Sequence, residues 1–189
     1  MRRARFVLAA LAGLALSGCA MAPLPAPQAS IDNLQTLRAA GIAPVAVGAF
    51  TLAPGKPEGM DKSVGIRAGI VSAPSGSFAG FLQQTLEAEL KGGGRLDPTS
   101  TIVVSGELTQ SDVSAGIDRG HATLGAQFKV TRGGSVVFDK PLLVQDDWDG
   151  DFMGAVAIPA AMDHYNGLYH KLVGALLSDQ DFKAAAKPR

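Results

Sequence analysis

From His121 to Arg132 the chain alternates without a break, with Ala122, Leu124, Ala126, Phe128 and Val130 on one side and Thr123, Gln127, Lys129 and Thr131 on the other. A period of two puts successive side chains on opposite faces of a strand, so this segment describes a half-buried strand with one dry face and one wet face. Gly133 and Gly134 follow, and then a second run from Ser135 to Val144. A Gly-Gly connection between two such runs is a tight hairpin turn, because it supplies the positive φ that the turn requires. The chain must therefore build antiparallel sheet, and some other element must cover its dry face.

Two amphipathic helices can do that. Between Ser75 and Lys91 the period changes, and Phe78, Leu82, Leu86 and Leu90 fall along one stripe, with Ser77 placed to cap the start and Gly92 to Gly94 to end it. Ile158, Met162, Tyr165, Tyr169, Leu172 and Leu176 step by three and four in the last helix, where Pro159 is tolerated if it lies in the first turn. A short helix is expected over Asp32 to Ala40 and a brief turn near Asp179 to Phe182. Pro44 to Leu52, Val64 to Ser72 and Thr101 to Asp112 read as further strands, and Ala53 to Lys62, with Pro54, Gly55, Pro57 and Gly59, as a loop. The economical arrangement is an α+β two-layer sandwich: a mostly antiparallel or mixed sheet of about five strands with two long helices on one face.

The N-terminus has a separate logic. Arg2, Arg3 and Arg5 precede an apolar run from Phe6 to Leu16 that is too short to span a bilayer, which needs about 20 residues. The run closes on Leu16, Ser17, Gly18 and Cys19, the sole cysteine of the chain. One cysteine excludes a disulfide framework and any multi-cysteine zinc site. This close matches the lipobox of bacterial lipoproteins. The resemblance implies that the Cys19 thiol carries a diacylglyceryl group, that residues 1–18 are cut away as a signal peptide recognised through Leu16, Ser17 and Gly18, and that the new amine is acylated with a fatty acid such as palmitate. An incidental cysteine behind an ordinary signal peptide is the bland alternative. Ala20, in place of the Asp associated with inner-membrane retention in that family, leans toward the outer membrane, with inner-membrane anchoring also open. Residues 19–30, with Pro23, Pro25 and Pro27, read as an extended tether able to lift the domain about 30 Å. Residues 31–189 read as one periplasmic domain.

Charge fits this division. The precursor holds 17 basic and 17 acidic residues, but three of the basic ones and none of the acidic ones lie in 1–18, so the mature chain is at net −3. That balance supplies no field for nucleic acid, and one Trp, two Tyr and eight Phe offer few stacking surfaces.

No complete catalytic or metal constellation is legible. The run Asp146, Asp147, Trp148, Asp149, Gly150, Asp151 has oxygen ligands, yet on the calcium-loop template Gln145 and Val156 stand where the terminal ligands belong. It reads as a solvated acidic strand end, with a weak cation site as the alternative. His164 and His170 are six apart, on different faces of their helix, and His121 has no acidic partner at a recognisable spacing. There is no nucleophile elbow and no phosphate loop. Tyr165 and Tyr169 read as core, or as an aromatic contact surface. No catalytic residue, no metal site and no cofactor is assigned.

The order of elements behind the lipobox resembles small envelope lipoproteins of the transport-auxiliary and lipopolysaccharide-assembly type, and the run from Ala157 to Tyr165 resembles uncharacterised proteobacterial lipoproteins. The resemblance implies a non-catalytic, lipid-anchored adaptor in envelope transport or assembly, with a protein or glycolipid partner and no nucleic acid. The alternatives are a periplasmic hydrolase with a His-centred site and a purely structural outer-membrane lipoprotein.

Overall fold

A computed structural model describes residues 24–188. In order these form α1 (Ile31–Ala40), β1 (Ala46–Leu52), β2 (Ser63–Ile66), β3 (Gly69–Ser72), α2 (Phe78–Gly92), β4 (Ile102–Ala115), β5 (Arg119–Arg132), β6 (Ser135–Asp149), α3 (Gly154–Ser178) and α4 (Gln180–Ala185). The fold is α+β. Its main sheet has four strands in the order β1-β4-β5-β6, and β2 and β3 form a separate hairpin. The expected strand over Val64 to Ser72 is thus two strands folded on each other, Ile66 opposite Gly69, around a two-residue turn at Arg67 and Ala68.

The β5–β6 hairpin follows the sequence reading, with Gly133 and Gly134 at φ 56° and 84°. β4 pairs antiparallel with β5, and β1 pairs parallel with β4, joined by a connection that includes α2. Thr109 is an extra residue in β4: register passes from Leu108 opposite Ala126 to Gln110 opposite Gly125. The bulge changes the parity of the strand, so Val104 and Leu108 before it and Val113 and Ala115 after it all face the core.

α2 packs against β1 and β4, and α3 against β4, β5 and β6, on the face formed by Val104, Leu108, Leu124, Ala126, Phe128 and Val130. Phe78, Leu82, Leu86 and Leu90 are fully buried, as are Tyr165, Tyr169, Leu172 and Leu176. The two tyrosines are core, which leaves no aromatic contact surface on that stripe. Phe50 reaches Phe128 edge-on, centroids 6.0 Å apart, over Gly106. A β-carbon there would stand 2.5 Å from the Phe50 ring.

Helix starts obey the chemistry of unpaired N–H groups. Ser30 accepts from Asn33 N at 3.2 Å, and Ser77 accepts from Gly80 N at 3.0 Å. Buried Asp61 accepts from Ala79 N at 2.8 Å and from the Ser77 hydroxyl at 3.0 Å, so α2 begins on a carboxylate as well as a hydroxyl. α3 starts at Gly154, ahead of the expected position, which puts Pro159 in its second turn. Ala155 and Pro159 are both exposed, so water can take the carbonyl that Pro159 leaves unpaired.

The expected free tether differs most. Leu24 is 4% exposed and belongs to the core cluster, and Ser30 N donates to Glu89 at 2.9 Å. From Leu24 onward the Pro-rich segment is thus part of the folded body, while the part of the expected tether over 19–23 lies outside the described residues. Among the described residues no helix is long and apolar enough to cross a membrane.

Candidate functional site

Each of the three histidines meets a carboxylate. His121 lies opposite Asp147 across β5 and β6, with Nδ1 2.9 Å from Oδ1, while its Nε2 is 2.8 Å from the Thr123 hydroxyl. His164 Nδ1 is 2.8 Å from Asp146 Oδ2, and His170 Nδ1 is 2.8 Å from Glu89 Oε1. The sequence reading that left His121 without an acidic partner is corrected here. The two residues are 26 apart in sequence, and only strand register brings them together.

The His170 pair is structural. Glu89 is fully buried and takes hydrogen bonds from Ser30 N, from Asn33 Nδ2 at 2.8 Å and from His170. Asn33 also donates to the His170 carbonyl at 3.0 Å, so one carboxylate joins α1, α2 and α3. Burial pushes the Glu89 carboxyl up. The bonds from His170, Asn33 and Ser30 outweigh burial and hold it below its ordinary value.

The His164 pair forms the most accessible polar site. Asp146 and Trp148 alternate onto the helix side of β6, and His164 and Lys171, two turns apart on α3, come down to meet them. Lys171 Nζ is 2.9 Å from Asp146 Oδ1, so each oxygen of this carboxylate has its own partner. Burial raises the Asp146 carboxyl, and the Lys171 and His164 bonds together bring it below its ordinary value. The imidazole lies flat on Trp148, centroids 4.2 Å apart and planes 3° apart. The indole can lie there because residue 120, its cross-strand neighbour, is glycine.

Around this pair is an open cleft of about 430 Å³ lined by Asp146, Asp163, His164, Gly167 and Lys171. It has an imidazole oriented by a carboxylate, which is half of a nucleophilic device, but among the described residues no hydroxyl or thiol lines it. Two acids against one lysine and one histidine leave it without a strong field of either sign. A larger hollow of about 680 Å³ beside the C-terminus is lined by Arg132, but that guanidinium is committed to the carbonyls of Ala185 and Lys187 at 2.8 and 2.7 Å.

The acidic run divides between two faces. Asp146 points to the helices and Asp147 to the open face of the sheet, and Asp151 accepts from Met153 N and so caps the turn into α3. Among the described residues no group of three His, Cys, Asp or Glu converges on a point that a metal could occupy. Cys19, with Leu16, Ser17 and Gly18, lies outside the described residues.

Sequence reasoning missed Arg67. Its guanidinium donates to the carbonyl of Ala115 at 2.8 Å, of Phe152 at 3.1 Å, of Gly116 at 3.4 Å and of Asp151. The signal was present in Val64, Gly65, Ile66, Arg67, Ala68, Gly69, Ile70, Val71, whose near-mirror arrangement marks a hairpin centred on Arg67 and Ala68.

No family model matches the chain, and no curated protein does. Among solved structures it is similar to protein XCC0632 from Xanthomonas campestris, at TM-score 0.49 and 15% identity over 82% of this chain and 89% of that one. It is also similar to a minor lipoprotein from Acinetobacter baumannii, at 0.46 and 10% over 76% and 92%. The PelC dodecamer from Paraburkholderia phytofirmans matches at 0.40 and 14% over 89% and 96%. With these scores below 0.5, no residue role is carried over from them.

Proposed function

We propose that this chain is a bacterial envelope lipoprotein, anchored through lipid on Cys19 with its domain in the periplasm, and that it serves as a non-catalytic accessory module in envelope transport or assembly. The observation that carries the reading is the sequence Leu16, Ser17, Gly18, Cys19 behind a charged start and a short apolar run, followed by a folded body in which Leu24 is already buried. A segment of this length and polarity serves as an export signal, and a cysteine at its end serves as the acylation point. Among the described residues the cleft beside His164 is lined by Asp146, Asp163, Gly167 and Lys171, a set that suits binding better than nucleophilic catalysis. Ala20 favours the outer membrane, and the partner is an envelope protein or glycolipid.

Palmitate labelling and fractionation test this. The wild-type chain is expected to incorporate label and to sediment with outer membranes, and Cys19→Ser to lose the label and leave the membrane fraction. An unlabelled wild type, or a Cys19→Ser chain still held in the membrane, overturns the anchor. The non-catalytic role is tested by replacing His121, His164 and His170 singly in a strain with a deletion phenotype. Loss of complementation by a stably folded variant overturns it.

A further inference from the structure

The main sheet has a basic end and an acidic end. At the first, Ile102 stands opposite Arg132 and Arg132 opposite Ser135. β1 starts there too, and it gathers the rest of that end: Val45 N donates to Arg95 O at 2.9 Å, Ala43 N donates to Ala186 O at 2.8 Å, and Leu37 of α1 lies against Gly93. Arg38, Lys91, Arg95, Arg132, Lys183 and Lys187 surround it, and none forms an ion pair with another described residue. The carbonyls of Ala185 and Lys187 hold the Arg132 guanidinium in place without neutralising it. Lys183 and Lys187 line an open hollow of about 470 Å³ beside Ala39 to Gly41. Lys140 is a seventh base and is shared by Asp179 and Asp181 at 2.6 and 3.2 Å; with Asp32, Glu87 and Asp97 the acids here number five. At the opposite end, where Arg119 faces Asp149, the balance reverses: Asp118, Asp147, Asp149 and Asp151 stand against Arg67 and Arg119.

We infer that the basic end is the face this domain turns toward an anionic phospholipid surface, with the acidic end held away from it. β5 has 14 residues, so the two ends are about 45 Å apart. That is several times the Debye length of about 8–10 Å at physiological salt. A negatively charged surface therefore acts on one end at a time, attracting the basic end and repelling the acidic one. Each Lys or Arg brought close to such a surface is worth about fivefold in partition. The basic groups come from α1, α2, the segment after α2, β5 and α4 with its tail, an extended set that suits an array of phosphates rather than a single anion.

The inference rests on the lipid-anchor reading above. An anchor on Cys19 keeps the body near the bilayer and leaves its orientation open. Charge then decides the orientation, because the contact is intramolecular and a small excess of charge is enough. The N-terminal segment meets the folded body on the same side: a β-carbon on Gly92 would stand 2.7 Å from that of Ala29, and Ser30 N donates to Glu89, one turn from the end of α2.

The test replaces the lipid with a defined tether. The mature chain with Cys19→Ser and an N-terminal hexahistidine is held by a nickel-chelating lipid on vesicles of phosphatidylcholine with phosphatidylglycerol, or of phosphatidylcholine alone. A fluorophore is placed on Ser135→Cys at the basic end or on Ile117→Cys at the acidic end, and quenching by spin-labelled headgroups reports which end lies at the surface. On the anionic vesicles the probe at 135 is expected to be quenched more than the probe at 117, and high salt is expected to remove the difference. Arg38→Gln with Lys183→Gln and Lys187→Gln is expected to remove it too, whereas Lys56→Gln with Arg119→Gln leaves it in place. Without the nickel lipid, the triple substitution is expected to weaken partition onto the anionic vesicles on the order of 100-fold. The inference is overturned if the two probes are quenched alike on anionic vesicles, if the difference is as large on phosphatidylcholine alone, or if it survives high salt. Because the tether is a histidine tag, each result is independent of whether Cys19 is acylated in cells.

Discussion

Gly120 lies directly opposite Trp148 in the β5–β6 register, and the indole occupies the place where a side chain on residue 120 would begin. A β-carbon there would stand 2.0 Å from Cε2 and 2.1 Å from Nε1 of Trp148. The stack of Trp148 on His164 therefore depends on the absence of a single carbon atom. Gly120→Ala is expected to expel the indole, cost about 1–3 kcal/mol of stability, and expose the only tryptophan to water. Urea denaturation and a red shift of intrinsic fluorescence in the native baseline check this. Unchanged emission would mean that the ring does not occupy that place in solution.

Glu89 gives a prediction with a definite sign. Its folded value lies below the ordinary 4.5, so its contribution to stability is fully present above that pH and is lost as the pH falls through the lower folded value. Glu89→Gln keeps the shape but removes the charge, and is expected to be less stable at pH 7 and to lose less on acidification than the wild type. Glu89→Ala, which orphans Asn33 and His170, is expected to cost about 3–5 kcal/mol. Urea midpoints of the three proteins at pH 7 and pH 3.5 make the comparison. Parallel pH curves for the wild type and Glu89→Gln would contradict it.

Both tyrosines of the chain are buried in one hydroxyl chain, Ser111 to Tyr165 at 2.6 Å and Tyr165 to Tyr169 at 2.9 Å. Burial pushes the Tyr165 phenol up to about 12, and burial with the neighbouring Tyr165 pushes Tyr169 well above its ordinary value. A phenol raised above its unfolded value of about 10 adds stability that is full below pH 10 and is lost as the pH rises toward the folded value. In a spectrophotometric titration at 295 nm, neither phenolate is expected until the protein unfolds, so absorbance and circular dichroism should change together. A phenolate signal appearing near pH 10 in a folded protein would refute the burial.

What the sequence disclosed and what it withheld divide along physical lines. Elements with one dominant period were legible: Phe78, Leu82, Leu86 and Leu90 on α2 and Ala122 to Val130 on β5 are buried as their spacing requires. Val64 to Ser72 misled because Val64, Ile66, Ala68 and Ile70 alternate as one strand would. The turn at Arg67 and Ala68 has no glycine at its first place to announce it, and it turns Ile70 outward while Val71 goes in. The acidic run was read as solvated because Asp146 and Asp147 find Lys171, His164 and His121 only after α3 has packed and the hairpin register is set. Pro25 and Pro27 imply an extended segment, but extension does not imply detachment, and the buried Leu24 was the hint that the segment is seated.

Arg67 carries the last prediction, and two substitutions separate its two properties. Its φ of 53° is the single positive value at a non-glycine residue among the described residues, a conformation that costs an L-residue roughly 1–2 kcal/mol. Its guanidinium offsets that cost through the carbonyls of Ala115, Gly116, Asp151 and Phe152. Arg67→Ala loses these bonds and keeps the strain, whereas Arg67→Gly loses the bonds and relieves it. The expected order of stability is wild type above Arg67→Gly above Arg67→Ala, with the alanine variant about 1–3 kcal/mol below wild type. Both variants are expected to show faster amide exchange at 116–118 and 150–153 while α2 and β5 stay protected, because the bonds tie loops to one another and leave the core alone. If Arg67→Gly were more stable than wild type, the strain would outweigh the clamp. Unchanged exchange in both loops would mean that the guanidinium does not hold them.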